Sequence, residues 1–114
     1  QYAVLVDGDN VSWRSLAQIH SKVSGLGDTP IRRIFGDFEF PHLKNWPKVA
    51  RKLCFSLVNA PRCNGKSSTD PALISDGLKI LNTNPEIEGF VLVSGDSDFV
   101  PLARRFHKAG KDVV

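Results

Sequence analysis

The sequence predicts an α/β domain built around a mainly parallel sheet. Two short apolar runs, Tyr2-Ala3-Val4-Leu5-Val6 and Phe90-Val91-Leu92-Val93, have the length and β-rich composition of buried strands. Strand patterns alternate with helix patterns along the whole chain, the order that βαβ units impose. Both apolar runs lead into acidic strings, Asp7-Gly8-Asp9-Asn10 and Ser94-Gly95-Asp96-Ser97-Asp98. In an open parallel sheet the carboxyl ends of the strands line one crevice, and ligands bind there.

The elements follow in order. Residues 2–7 form the first strand. Ser12 is placed as an N-cap, and Trp13, Leu16, Ala17, Ile19 and Val23 give the following helix its apolar stripe. Ser24-Gly25-Leu26-Gly27-Asp28 ends that helix in a loop. Residues 30–38 alternate loosely, as a second strand. Pro41 and Pro47 bracket a loop, a short basic helix occupies 47–53, and 54–60 form a third strand. Residues 61–69 are a polar loop, and Thr69 or Asp70 caps a helix with Pro71 in its first turn. That helix stops at Asn82-Thr83-Asn84-Pro85. A fourth strand at 89–94 and a helix at 98–109, with Pro101 in its first turn and Gly110 at its end, come next. Asp112-Val113-Val114 begins a fifth strand. The stop inside a strand pattern suggests an excised domain, or one lacking its last helix.

At 114 residues the chain is sized for a single domain spanning 1–114. No apolar run approaches the about 20 residues a membrane helix requires, so no membrane association is expected. No signal-peptide pattern is present, and cytoplasmic residence is the default expectation. Cys54 sits in an apolar stretch and reads as a buried thiol, and Cys63 as a loop residue. The two are not expected to pair, and without neighbouring histidines they make no zinc site. A net charge of +3 is a mild bias towards polyanions. Its distribution adds to this: the basic residues fall mostly in helices and loops, while acids concentrate at the proposed crevice. An acidic centre with a basic surround suits a phosphodiester substrate.

Asp7, Asp96 and Asp98 stand at strand ends and Asp70 at a helix start. If they meet, crowded carboxylates repel, and a hard cation such as Mg²⁺ or Mn²⁺ neutralises them. That points to metal-assisted chemistry on phosphate. One of Asp96 and Asp98 can be a helix cap, which leaves the other needing a reason. Ser94 and Ser97 are candidate contacts for a phosphate oxygen or a water at the metal. Lys66, in the loop before Asp70, can reach a substrate phosphate as a point charge, and Arg62 of the same loop is taken with it. Asp9 reads as a cap or a solvated acid. Asp76 either approaches the crevice or is solvated. His20, His42 and His107 read as surface residues. Trp13 and Trp46 are candidate base-stacking groups, with helix packing the stronger reading for Trp13. No Walker loop, G-x-G-x-x-G fingerprint or nucleophile elbow appears.

With these motifs in place, the chain resembles the NYN domain family, PIN-like nuclease relatives that include the LabA-type bacterial proteins. The resemblance covers nearly the whole chain. It rests on Val6-Asp7-Gly8-Asp9-Asn10, on Lys66-Ser67-Ser68-Thr69-Asp70 before a helix with Asp76, and on the run from Leu92 to Leu102; Gly110-Lys111-Asp112-Val113-Val114 also fits. It implies a PIN-like, three-layer α/β/α sandwich of Rossmann-like topology. It implies a metal-dependent (endo)ribonuclease in which Asp7, Asp70, Asp96 and Asp98 hold Mg²⁺ or Mn²⁺. Asn10 would orient a water at the metal or a phosphate. RNA is the implied substrate, although nothing in the residues themselves selects RNA over DNA. A homodimer or a flanking RNA-binding domain is an expectation for completing the substrate groove. The family loop often reads Lys-Gly-x-Asp, and here it is one residue longer. Two alternatives stand beside this reading. One is a haloacid-dehalogenase-like phosphatase, with Asp7 as nucleophile and Asp9 as acid/base. The other is a catalytically silent RNA-binding module.

Overall fold

A computed structural model describes residues 1–61 and 69–114. Arg62, Cys63 and Lys66 therefore lie outside the described residues. Five strands form one sheet: β1 (Tyr2–Asp7), β2 (Ile31–Gly36), β3 (Ser56–Asn59), β4 (Gly89–Val93) and β5 (Asp112–Val113). Among the described residues the four α-helices are α1 (Leu16–Ser24), α2 (Trp46–Lys52), α3 (Thr69–Thr83) and α4 (Val100–Lys108). The strand order is β3-β2-β1-β4-β5, and every pairing is parallel.

Side chains alternate across a strand, so β1 sorts its apolar run onto two faces. Ala3 and Leu5 point into one core with Phe35, Phe90, Leu73 and Ile80 of α3, and Leu102 and Phe106 of α4. Val4 and Val6 point into the other with Ile34, Val91, Leu16 and Val23 of α1, and Trp46 and Ala50 of α2. The sheet is thus buried on both sides, which is why β1 is a continuous apolar run rather than an alternating one. The chain winds outward from β1 to β3, then returns to add β4 and β5 on the other side. Because parallel crossovers keep one hand, that reversal sends α3 and α4 to the face opposite α1 and α2.

α3 lies against both the sheet and α4, and Gly77 allows it. A Cβ at Gly77 would sit 3.1 Å from Phe106 and 3.3 Å from Leu102. From the position just before Gly77, Asp76 accepts from Arg33 Nη1 at 2.6 and 2.7 Å. Asp76 is therefore joined to β2.

The basic helix begins one residue earlier than its pattern predicts, because Pro47 falls in its first turn after Trp46. The predicted 98–109 helix divides into a 3₁₀ turn at Ser97–Phe99 and then α4. Cys54 departs from expectation. It is exposed rather than buried, and it is not the start of a strand. It occupies the turn from α2 into β3 with φ +61°, a conformation that points the neighbouring Phe55, not the thiol, into the core.

Candidate metal centre

Reversal of strand order between β1 and β4 creates a topological switch point, where the loops leaving the two strands diverge. Val6 pairs with Val93, so Asp7 and Ser94 follow one step later on adjacent strands. Ser94 Oγ donates to Asp7 Oδ2 at 2.8 Å, and Asn10 Nδ2 donates to the same oxygen at 2.8 Å. Asp7 is fully buried, and its second oxygen, Oδ1, has no hydrogen-bond partner among the described residues. Two donors hold the carboxylate by one oxygen and leave the other uncommitted. A buried carboxylate oxygen left this way is costly unless something cationic meets it.

The loop after β1 is fixed from three sides. Trp46 Nε1 donates to Gly8 O at 3.0 Å, and Gly8 N donates to Phe35 O at 2.7 Å. A Cβ on Gly8 would lie 2.8 Å from that same Phe35 oxygen, so only glycine fits directly behind Asp7. Thr69 Oγ1, buried at the start of α3, donates to Asp9 Oδ2 at 2.5 Å. Asp9 Oδ1 accepts from the Asp37 amide at 3.4 Å. Asp9 thus ties the first residue of α3 to the β1 loop, and Asp70 is the next residue along.

Asp96 is placed by the loop after β4. Its amide donates to Ser94 Oγ at 3.0 Å, and its Oδ1 caps the following 3₁₀ turn by accepting from the Asp98 amide at 2.9 Å. Ser94 therefore links Asp7 to Asp96 through one hydroxyl. Asp7, Asp70 and Asp96 converge: one carboxylate oxygen from each lies within 4.8 Å of the others. Asp98 stays outside this trio and is exposed.

Burial pushes the Asp70 carboxyl up to about 6, helped by the charge of Asp96, a hydrogen bond to Asp96, and the charges of Asp7 and Asp98. A raised carboxyl pKa favours the protonated form in the folded state. The associated stability is complete below the ordinary value of 3.8 and is lost as pH rises through about 6. Thermal unfolding in EDTA should therefore show a midpoint that falls between pH 4 and pH 7. The Asp70→Asn variant should show a smaller fall, and Mg²⁺ or Mn²⁺ at pH 7 should restore the wild-type midpoint.

The donor set suits a small hard cation. All three ligands are carboxylate oxygens, the type that Mg²⁺ and Mn²⁺ prefer over sulfur or nitrogen sites. The three oxygens lie within 4.8 Å of one another, so one small cation placed among them would meet all three after their side chains draw inward. The uncommitted oxygen on Asp7 is the strongest sign of fit, since ordinary folding would have given it a donor.

Of the residues expected at a site, Asp7, Asp70 and Asp96 are brought together. Asn10 and Ser94 lie on Asp7, and Asp98 is held by its amide at the edge. Arg62 and Lys66 fall outside the described residues. Trp46, a candidate for base stacking, is instead fully buried with its indole N–H committed to Gly8. The sequence gives no sign of this role, because Trp46 is 38 residues from the backbone it supports. Nor does the sequence reveal the Thr69–Asp9 tie, although Thr69 is recognisable as a helix start.

No curated protein and no solved structure matches the chain significantly. The model of one family, the NYN domain, matches residues 1–114. A sheet whose switch point gathers acids from β1, α3 and the β4 loop is the arrangement expected of a PIN-like nuclease sandwich, and by the full-length match the chain belongs to the NYN domain family.

Proposed function

We propose that this chain is a divalent-metal-dependent ribonuclease that hydrolyses phosphodiester bonds in RNA. The observation that carries the reading is the buried Asp7 carboxylate, held by Asn10 and Ser94 through Oδ2 and left open at Oδ1 beside Asp70 and Asp96. Membership of the NYN domain family supports it. Asp7, Asp70 and Asp96 would hold Mg²⁺ or Mn²⁺, with Asp98 adding negative charge at the rim. When bound, such a cation polarises a phosphate oxygen and lowers the pKa of a water.

The chain's own residues do the positioning. Asn10 and Ser94 fix the Asp7 carboxylate, as outer partners of a ligand do. Asp9 and Thr69 fix Asp70 relative to Asp7. Arg62 and Lys66, which precede α3 in the sequence, are assigned to phosphates of the substrate backbone. In the reaction the oxygen of water bonds to phosphorus and the bond from phosphorus to the departing sugar oxygen breaks. Water loses one proton and the sugar oxygen gains one, and nothing is oxidised or reduced. No dedicated general base is needed. No helix among the described residues is long and apolar enough to cross a membrane. Residence in the cytoplasm, where RNA is abundant, suits the proposed substrate, and a homodimer or a neighbouring RNA-binding domain would complete its groove.

The test is cleavage of end-labelled single-stranded RNA in Mn²⁺, Mg²⁺ or EDTA. Wild type is expected to cut only with a cation, and Asp96→Asn to lose about 10²-fold or more in rate. Cutting in EDTA, or undiminished cutting by Asp96→Asn, would sink the proposal.

A further inference from the structure

The loop that carries Asp7 out of β1 also walls a cavity of about 300 Å³. Asp9, Asn10, Trp13, His42, Leu43 and Trp46 line it. Two aromatic side chains reach it from different parts of the chain. Trp13 comes from the 3₁₀ turn after β1, and His42 from the 3₁₀ turn after β2. Leu43 and Trp46 are buried and close the floor. Trp46 is fully buried with its N–H committed to Gly8, so it supports the floor and presents no donor. Trp13 is partly exposed, and the Arg14 guanidinium lies 4.9 Å from its ring centroid.

The polar edge is supplied by Asp9 and Asn10. Asn10 is also the side chain that touches Asp7 at 2.8 Å, so the cavity and the acidic trio share a wall one residue thick. A volume at the lower end of small-molecule sites accepts one planar heterocycle and not a base pair. Aromatic walls, a polar edge and a phosphate-directed centre next door together select one ligand class. Bases stack on aromatic side chains when they are free of a duplex, and their edges then bond to polar groups.

We propose that this cavity is a nucleobase subsite. It takes the base of the nucleotide adjoining the scissile phosphate in single-stranded RNA, with Trp13 as the stacking group and His42 as the opposing wall. The assignment rests on the ribonuclease reading above for the identity of the neighbouring phosphate. It explains why aromatic groups converge at the mouth of an acidic crevice, where solvated polar residues would otherwise be expected.

The test is fluorescence-anisotropy binding in EDTA, so that neither a cation nor cleavage contributes. The probes are a five-nucleotide single-stranded RNA and the same backbone with abasic spacers. Wild type is expected to bind the base-bearing probe roughly 5- to 100-fold more tightly than the abasic one. Trp13→Ala should abolish that difference, Trp13→Phe should keep most of it, and His42→Ala should reduce it several-fold. Exposed His42 tolerates truncation, so the prediction is still tested if Trp13→Ala fails to fold. Equal binding of the two probes by wild type, binding of neither, or a base dependence unchanged in folded Trp13→Ala and His42→Ala would overturn the subsite. A wild type that binds bases through Trp13 but never cuts RNA would defeat the nuclease reading alone. An active nuclease with base-independent binding would defeat the subsite alone.

Discussion

Asp7→Asn is expected to abolish metal-dependent cleavage, by about 10³-fold or more, while leaving the fold intact or slightly more stable. The argument is electrostatic. Asp7 is fully buried, and its Oδ1 is a buried carboxylate oxygen with no donor among the described residues. A bound cation contributes several kcal/mol of charge stabilisation in phosphoryl chemistry, and each 1.4 kcal/mol is about tenfold in rate. Asparagine is nearly the same size, and its amide oxygen can still accept from Ser94 and Asn10. What it lacks is the charge. The same substitution should remove the thermal shift that Mg²⁺ or Mn²⁺ gives the wild type. It should also raise the midpoint in EDTA, since Asp70 then loses one of the charges that press on it. Cleavage rates and thermal unfolding with and without cation check all three outcomes. Retained cleavage and an unchanged metal shift in Asp7→Asn would show that the cation, if any, sits elsewhere.

The second large effect is on stability. Phe106→Ala is expected to cost about 3–5 kcal/mol, a large fraction of the about 5–15 kcal/mol that stabilises a domain of this size. Phe106 is fully buried, and its ring stacks on Phe90 with centroids 3.7 Å apart and planes 5° from parallel. It also fills the space beside Gly77, where α3 approaches α4. Truncation would leave a cavity between α4, α3 and β4, the elements from which Asp70 and Asp96 extend. The loss should therefore be read twice, in urea unfolding and in metal affinity measured by titration below the unfolding transition. An effect near 1 kcal/mol would mean that α4 collapses into the gap, and that the packing there is less constrained than the stacked rings imply.

Much of this molecule was legible in its sequence for a local reason. A strand covered on both faces must be apolar throughout, and the runs at 2–6 and 90–93 are. An acid close behind such a run emerges near the strand's carboxyl end, so Asp7, directly after the first run, and Asp96, three residues past the second, were legible as crevice residues. Asp70 was visible because Thr69, Asp70 and Pro71 make a recognisable helix start. Alternation of strands and helices then required a parallel sheet.

Other features depend on which distant side chains meet, and no local pattern encodes that. Periodicity left Asp76 between crevice and solvent; Arg33, 43 residues away, decided it. Cys54 reads as buried because its neighbours are apolar, yet the turn into β3 turns it outward with φ +61°. Trp46 resembles a surface stacking residue until α2 packs against β1 and its indole finds Gly8.

By itself, then, the sequence determined the fold class and pointed to acids at the strand ends and at a helix start, since burial and strand ends follow from residue order. Only the tertiary structure decided how those acids are arranged. It separated Asp98 from the trio, assigned Asn10 and Ser94 to one oxygen of Asp7, and left the other oxygen open. The reason is that hydrogen bonds form between atoms a few ångströms apart, and the register of β1 against β4, set by the whole core, determines which atoms those are.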